Sequence, residues 1–229
     1  MPKFRDLSTY AATIAPVINA VHINVHASAS TGADGLLMDL RYRLPLGPLT
    51  RGSLAAVYRY GNAAELDAEI SDHLRQGTLI EDGEGALRPT PAALAAIDGL
   101  YAAHAAATRR IWTTHDLETL AALAGRILDA AEPDPGGAFA VMTPPYEPEG
   151  TPAGVLLFNR LAALRYHRAD AHAAAWHAAG LTVAGIVDLS AGPLRDRIED
   201  DTNRRAAQPY HALDDQELKV LFEGLLALA

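Results

Sequence analysis

The residues 164–180, LRYHRADAHAAAWHAAG, constrain this chain more than any other stretch. Alanine is the strongest helix former, and the run has neither proline nor a β-branched cluster, so it predicts a helix over about 153–179. On a helix, residues three or four apart share a face. His167 then meets Asp170, and His172 meets both Arg168 and Trp176. One stripe carries a carboxylate beside an imidazole, and its neighbour a guanidinium, an imidazole and an indole. A mid-chain helix this rich in alanine is expected to be apolar. Its polar stripes therefore call for either an internal ion-pair network or a ligand site.

The chain has 229 residues, enough for one large or two small domains and for a substantial core. It has no cysteine, which removes disulfides, thiolate zinc sites and a thiol nucleophile together. No apolar run reaches membrane-spanning length and the first residues lack a leader pattern, so the expectation is a cytoplasmic protein with no membrane partner. The net charge is −9, from 19 basic and 28 acidic residues. A phosphate backbone is repelled by such a chain unless its basic residues are concentrated in a patch.

In chain order, residues 8–27 read as a helix capped by Ser8 or Thr9, with Pro16 expected to kink or split it. Residues 28–35 read as a turn-rich linker, and 36–44 as a second helix stopped by the PLGP run at 45–48. Residues 50–60 predict a short helix capped by Thr50 or Ser53, and 63–77 a helix ended by Gly77. Residues 78–90 predict strand, glycine turn, strand. A further helix starts with Thr90 as cap and Pro91 in its first turn. Another amphipathic helix covers 115–131. The proline- and glycine-rich 132–152 reads as the domain boundary or a long loop. Beyond it the polar helix is followed by an apolar piece at 181–189 and helices at 192–210 and 214–229. Residues 90–131 align weakly with 191–229, which suggests two related helical halves, 1–131 and 153–229.

Helix, turn, helix, two-stranded wing, helix is the order of a winged helix. QGTLIEDGEGALRPTPAALAAI resembles the wing and following helix of the multiple-antibiotic-resistance (MarR-like) regulators. Gly77, Leu79, Ile80, Leu87, Thr90 and Ala93 stand at the family's motif positions, and the resemblance covers about residues 45–110. With PLGP, the residue 164–180 helix and TNRRAAQPY, the whole chain is similar to an actinobacterial, more helical branch of MarR-like proteins. That resemblance implies a mainly α fold with a winged helix-turn-helix and no particular reaction.

The resemblance implies DNA binding through residues 63–76 and the wing, but the residues there oppose it. Glu65, Asp67, Glu69, Asp72, Glu81, Asp82 and Glu84 would face a polyanion, with Arg75 on the same helix and Arg51, Arg59 and Arg88 nearby. Nucleic acid is thus a disfavoured partner. His22 and His26 lie at i, i+4, a spacing that can bind metal, with His167, Asp170 or His172 as further ligands. The tight H-E-x-x-H signature is absent, because Ile23 stands at the glutamate position. The alternative for these histidines is a hydrogen-bonded core or interface role.

For the polar helix, one reading is a buried network in which Arg165 or Arg168 pairs with Asp170, Glu199, Asp200 or Asp201. The other is a pocket between the halves. It would have Asp170 orienting His167 as general base, Arg168 for an anionic group, and His22, His26, His172, Trp176, Asn203 and Tyr210 as further ligand contacts. Asn203, Arg204 and Tyr210 could equally be a capped helix end. No serine lies in a G-x-S-x-G context and no phosphate-cradling loop is present.

The leading expectation is a small-molecule-binding protein on a MarR-like scaffold, its cofactor unspecified. An effector-responsive DNA-binding regulator is the second reading, and an enzyme using His167 and Asp170, with or without metal, the third. The apolar C-terminal helix reads either as core or as the face of a homodimer.

Overall fold

A computed structural model describes residues 6–29 and 35–229. Most of the linker expected at 28–35 lies outside the described residues, as do the first five residues. The fold is mainly helical with one small antiparallel sheet.

Helix α1 (Leu7–Ser28) is capped by Asp6, whose carboxylate accepts the Thr9 amide at 2.8 Å, rather than by Ser8 or Thr9. It runs through Pro16 as one element. Pro16 lies on the exposed side, while Ile14, Ile18, Val21 and Val25 are buried on the other and hold both halves to one core. The helix expected over 36–44 is shorter. α2 (Leu36–Asp39) ends in turns and a 3₁₀ turn, Leu44–Leu46, with Pro45 at its start. Arg41 turns inward here and donates to the Met38 carbonyl at 2.8 Å.

Strand β1 (Leu49–Thr50), helices α3 (Arg51–Val57) and α4 (Ala63–Gln76), strands β2 (Leu79–Glu81) and β3 (Ala86–Pro89), and helix α5 (Pro91–Ile111) follow. Thr50 and Ser53 cap α3 reciprocally, each side chain bonded to the other's backbone. The sheet has three strands rather than two, ordered β1-β3-β2, with Leu49 opposite Leu87 and Ile80 opposite Arg88. β1 spans two residues and runs into a helix cap, too short for a period-two pattern to register.

Then come α6 (Leu117–Ala130), α7 (Ala138–Met142), α8 (Ala153–Ala178), α9 (Val183–Val187), α10 (Pro193–Ala206), a 3₁₀ turn Gln208–Ala212 and α11 (Asp215–Leu228). Residues 132–152 are not an open loop. They hold α7, whose Ala138, Phe139 and Met142 are buried. The largest core cluster crosses this segment and joins Ile14 and Leu123 to Leu157 and Leu221. The apolar face of α11, with Leu218, Leu221 and Leu225, belongs to that core.

Helix α8 organises the packing. Phe158 and Leu161 enter the large cluster, Ala162 the cluster around the sheet, and Ala173 and Trp176 a third cluster with Ile186 and Ile198. A helix buried on several sides needs apolar residues all round. The same surroundings decide where its polar residues can point.

Candidate functional site

The second half of α8 sends its polar side chains to three neighbours. Asp170 is 5% exposed and faces α7. Its carboxylate accepts the Ala138 amide at 3.0 Å and the Phe139 amide at 2.8 Å, and it forms an ion pair with Arg59. It is therefore a buried cap and charge partner. Asp170 does not orient His167, contrary to the dyad drawn from the i, i+3 spacing, because its hydrogen-bonding capacity is directed elsewhere. His167 packs edge-on against Phe139, ring centroids 5.3 Å apart. Burial pushes its pKa below the usual histidine value, against the opposing pull of Asp170 and Asp134.

On the neighbouring stripe the side chains meet through shared partners on other elements. Arg168 Nη2 lies 3.5 Å from Glu199 Oε2 on α10, and His172 Nε2 lies 3.8 Å from Glu199 Oε1. His172 Nδ1 is 2.9 Å from the hydroxyl of Tyr60, which accepts a hydrogen bond from Trp176 Nε1 at 3.1 Å. Burial lowers the His172 pKa, and the Arg168, Arg195 and Arg59 guanidiniums add to that against the pull of Glu199. Burial raises the Tyr60 pKa, so its hydroxyl keeps its proton.

Arg168 and His172, with Tyr60, form one wall of a cleft of about 290 Å³ between α1, α8, α10 and the Gln208–Ala212 turn. Ala11, Ala15 and Ile18 of α1 and Leu164 of α8 give it an apolar side. Tyr60, Arg165, Arg168, His172 and Glu199 give it a polar side, with two guanidiniums against one carboxylate. Arg165 Nε donates to Asn19 Oδ1 at 2.8 Å. Arg168 Nη1 is buried with no hydrogen-bond partner. His167 and Tyr210 also line the cleft, and Tyr210 is fixed by an edge contact to Tyr10 at 5.1 Å.

Other expected residues lie elsewhere. Asp170 and Trp176 line a separate depression with Arg59 and the 134–137 loop. Asn203 does not line the cleft, and its Oδ1 is buried without a partner. His22 and His26 belong to a different cluster. Their Nε2 atoms are 3.0 Å apart, His22 stacks on Phe158 at 4.9 Å, and His104 packs against both His26 and Phe158. Arg41 lies over the same Phe158 ring, 4.4 Å from its centroid, and donates to Asn159 Oδ1 at 3.0 Å. Desolvation lowers the pKa of His22 to about 2, of His104 to about 3 and of His26 to about 4. The imidazoles are neutral groups packed around an aromatic ring. Neither His167 nor His172 joins them, and among the described residues no group of three or more His, Cys, Asp or Glu side chains is disposed to hold a metal.

The sequence reading missed Tyr60, Arg59, Asn19, His104 and Arg41. Tyr60 and Arg59 had a signal in VYRYGN, where an arginine between two tyrosines ends a helix at a glycine turn. Comparison of the chain with known protein families, curated proteins and solved structures finds no match. No helix among the described residues is long and apolar enough to cross a membrane.

Proposed function

We propose that this chain is a small-molecule-binding protein on a MarR-like winged-helix scaffold. Its ligand is a small amphipathic molecule held in the α1–α8–α10 cleft with an anionic group at Arg168. The observation that carries this reading is Arg168 itself: a guanidinium lining the cleft beside an apolar wall, held to Glu199 by an ion pair as long as 3.5 Å. A guanidinium held only by a long ion pair has hydrogen-bonding capacity to spare, and a carboxylate in the cleft would use it through charge-assisted bonds. The scaffold reading rests on the order β1, α3, α4, β2, β3, α5. It also rests on the motif residues, with Gly77 stopping α4 in the left-handed conformation and Thr90 capping α5.

Thermal-shift titration with phenylacetate and octanoate, against their uncharged amides, tests the reading. Both carboxylates are expected to raise the melting temperature, the amides much less, and Arg168→Met is expected to abolish the difference. Equal shifts from acids and amides, or shifts unchanged in Arg168→Met, would remove Arg168 as the anion site.

A further inference from the structure

The hydrogen bonds at Tyr60 hold more information than its position. The Trp176 indole nitrogen is a donor only, so at 3.1 Å the Tyr60 oxygen is its acceptor. Tyr60 has one proton, and that proton has two outlets: His172 Nδ1, 2.9 Å away, or the cleft that Tyr60 lines. With His172 neutral and its proton on Nε2, facing Glu199 Oε1 at 3.8 Å, Nδ1 is a bare acceptor and takes the tyrosine proton. Tyr60 then has nothing to donate to a ligand. With His172 protonated on both nitrogens, Nδ1–H becomes a donor to the Tyr60 oxygen. That oxygen then accepts from both the indole and the imidazolium, and its own proton turns toward the cleft.

Moving the imidazole proton from Nε2 to Nδ1 without adding one would also free the tyrosine. It would leave the Nε2 lone pair facing the Glu199 carboxylate, two acceptors with no proton between them. The addition of a proton avoids this, because Nε2–H keeps its carboxylate.

We propose that the cleft binds a carboxylate on the Arg168 guanidinium and the Tyr60 hydroxyl together, and that seating it takes up one proton from solution at His172. The inference rests on the reading of the cleft as a small-molecule site. The balance is simple: free anion, one solvent proton and the empty site give a complex in which His172 is imidazolium, with no covalent bond made or broken. The groups facing His172 are Tyr60 and Arg59 from the turn after α3, Glu199 and Arg195 from α10, and Arg168 on its own helix. In the empty site the guanidiniums and burial favour neutral imidazole. An arriving carboxylate offsets the guanidiniums, and Glu199 is already in place beside the new cation. Tyr60 and Arg168 therefore select an acceptor-only anion over an amide or alcohol, and His172 links that choice to pH.

Isothermal titration of the full chain with phenylacetate, in two buffers of different ionisation enthalpy at about pH 7.5, counts the protons. The expected result is uptake of close to one proton. Above neutrality the Kd should rise about tenfold per pH unit. His172→Gln is expected to abolish the uptake and flatten that dependence, with His172→Asn as a second variant should the first misfold. His177→Gln, which removes an exposed imidazole of the same helix outside the cleft, should keep the uptake. Phenylacetate binding with no proton uptake overturns the inference and leaves the small-molecule site standing. Uptake that persists in a folded His172 variant also overturns it. Absence of binding by phenylacetate and octanoate alike overturns both.

Discussion

Arg59 and Asp170, 111 residues apart in the chain, close an ion pair that ties the end of the α3 segment to the middle of α8. Asp170 is nearly sealed from solvent and Arg59 largely so, and the same carboxylate receives the first two amides of α7. Three elements converge on one side chain. Removing one partner of a buried charge pair leaves the other desolvated and uncompensated, at a cost of about 3–5 kcal/mol. Asp170→Ala is expected to lose about that much in urea unfolding. Asp170→Asn, which keeps an acceptor but drops the charge, should lose less. Gly137→Ala should reproduce part of the loss, because its Cβ would stand 2.5 Å from Asp170 Oδ2 and 2.9 Å from Cγ. Wild-type stability in Asp170→Asn and Asp170→Ala alike would show that the convergence contributes nothing.

The exposed cations of the α3–β3 region are largely matched by carboxylates. Arg51 pairs with Asp67 and Glu81, Arg75 with Asp72, and Arg88 with Asp82. Nonspecific DNA affinity comes from cations free to displace counterions, and this face has its guanidiniums already bridged. The chain is therefore expected to give no retardation of random duplex DNA at micromolar protein in about 50 mM salt. Retardation that disappears steeply as salt is raised would favour the regulator reading over the one proposed.

Local signals in the sequence carried well where a single segment decides the outcome. The α8 register, the Thr90 cap with Pro91, the Gly77 stop and the glycine-turn hairpin all follow from residues a few positions apart. Arg168 and His172 line one cleft, whereas Trp176 turns to the cluster with Ile186 and Ile198 and reaches His172 only through the Tyr60 hydroxyl. What failed depended on distant partners. Asp170 is three residues from His167, yet Arg59 and the α7 amides, 31 to 111 residues away, hold its carboxylate. His22 and His26 were expected among the pocket's ligand contacts because the spacing gives no hint that Phe158 and His104 fill the space beside them. Tyr60 joins the cleft only because the turn after α3 packs on α8, 112 residues further on.

Two glycines in helices should respond oppositely to alanine. At Gly154, in the first turn of α8, a Cβ would lie 2.7 Å from both Cβ and Oγ1 of the buried Thr108 on α5. Thr108 is itself held by its bond to the His104 carbonyl at 2.9 Å. Overpacking of this kind costs about 1–3 kcal/mol, which exceeds the roughly 0.5–1 kcal/mol that alanine gains over glycine in a helix. Gly99, on the exposed side of α5, has nothing within 4 Å of an added Cβ. Gly99→Ala is expected to raise the unfolding midpoint and Gly154→Ala to lower it. Matching shifts in the two would mean that α5 and α8 are not in close contact at Thr108.

The imidazoles around Phe158 predict how the fold responds to acid. The folded pKa values, about 2 for His22, about 3 for His104 and about 4 for His26, lie below the 6.5 of the unfolded chain. Between those limits the unfolded state binds protons that the folded state refuses, so stability falls as pH falls. The full contribution is present above about pH 6.5. For the well-buried His22 and His104 it declines by about 1.4 kcal/mol per pH unit each. His26 is less buried and contributes less, and its part ends near pH 4. Urea unfolding between about pH 5 and 7 reads the buried histidines, His167 and His172 included, because most carboxylates titrate lower; a variant within the cluster separates its share. His104 is fully buried, and neither of its nitrogens meets another side chain's donor or acceptor. His104→Leu should therefore fold, and its stability should depend on pH with one proton less than wild type. Parallel curves for the two proteins would mean that His104 takes up a proton in the folded state, and that the cluster is open to water.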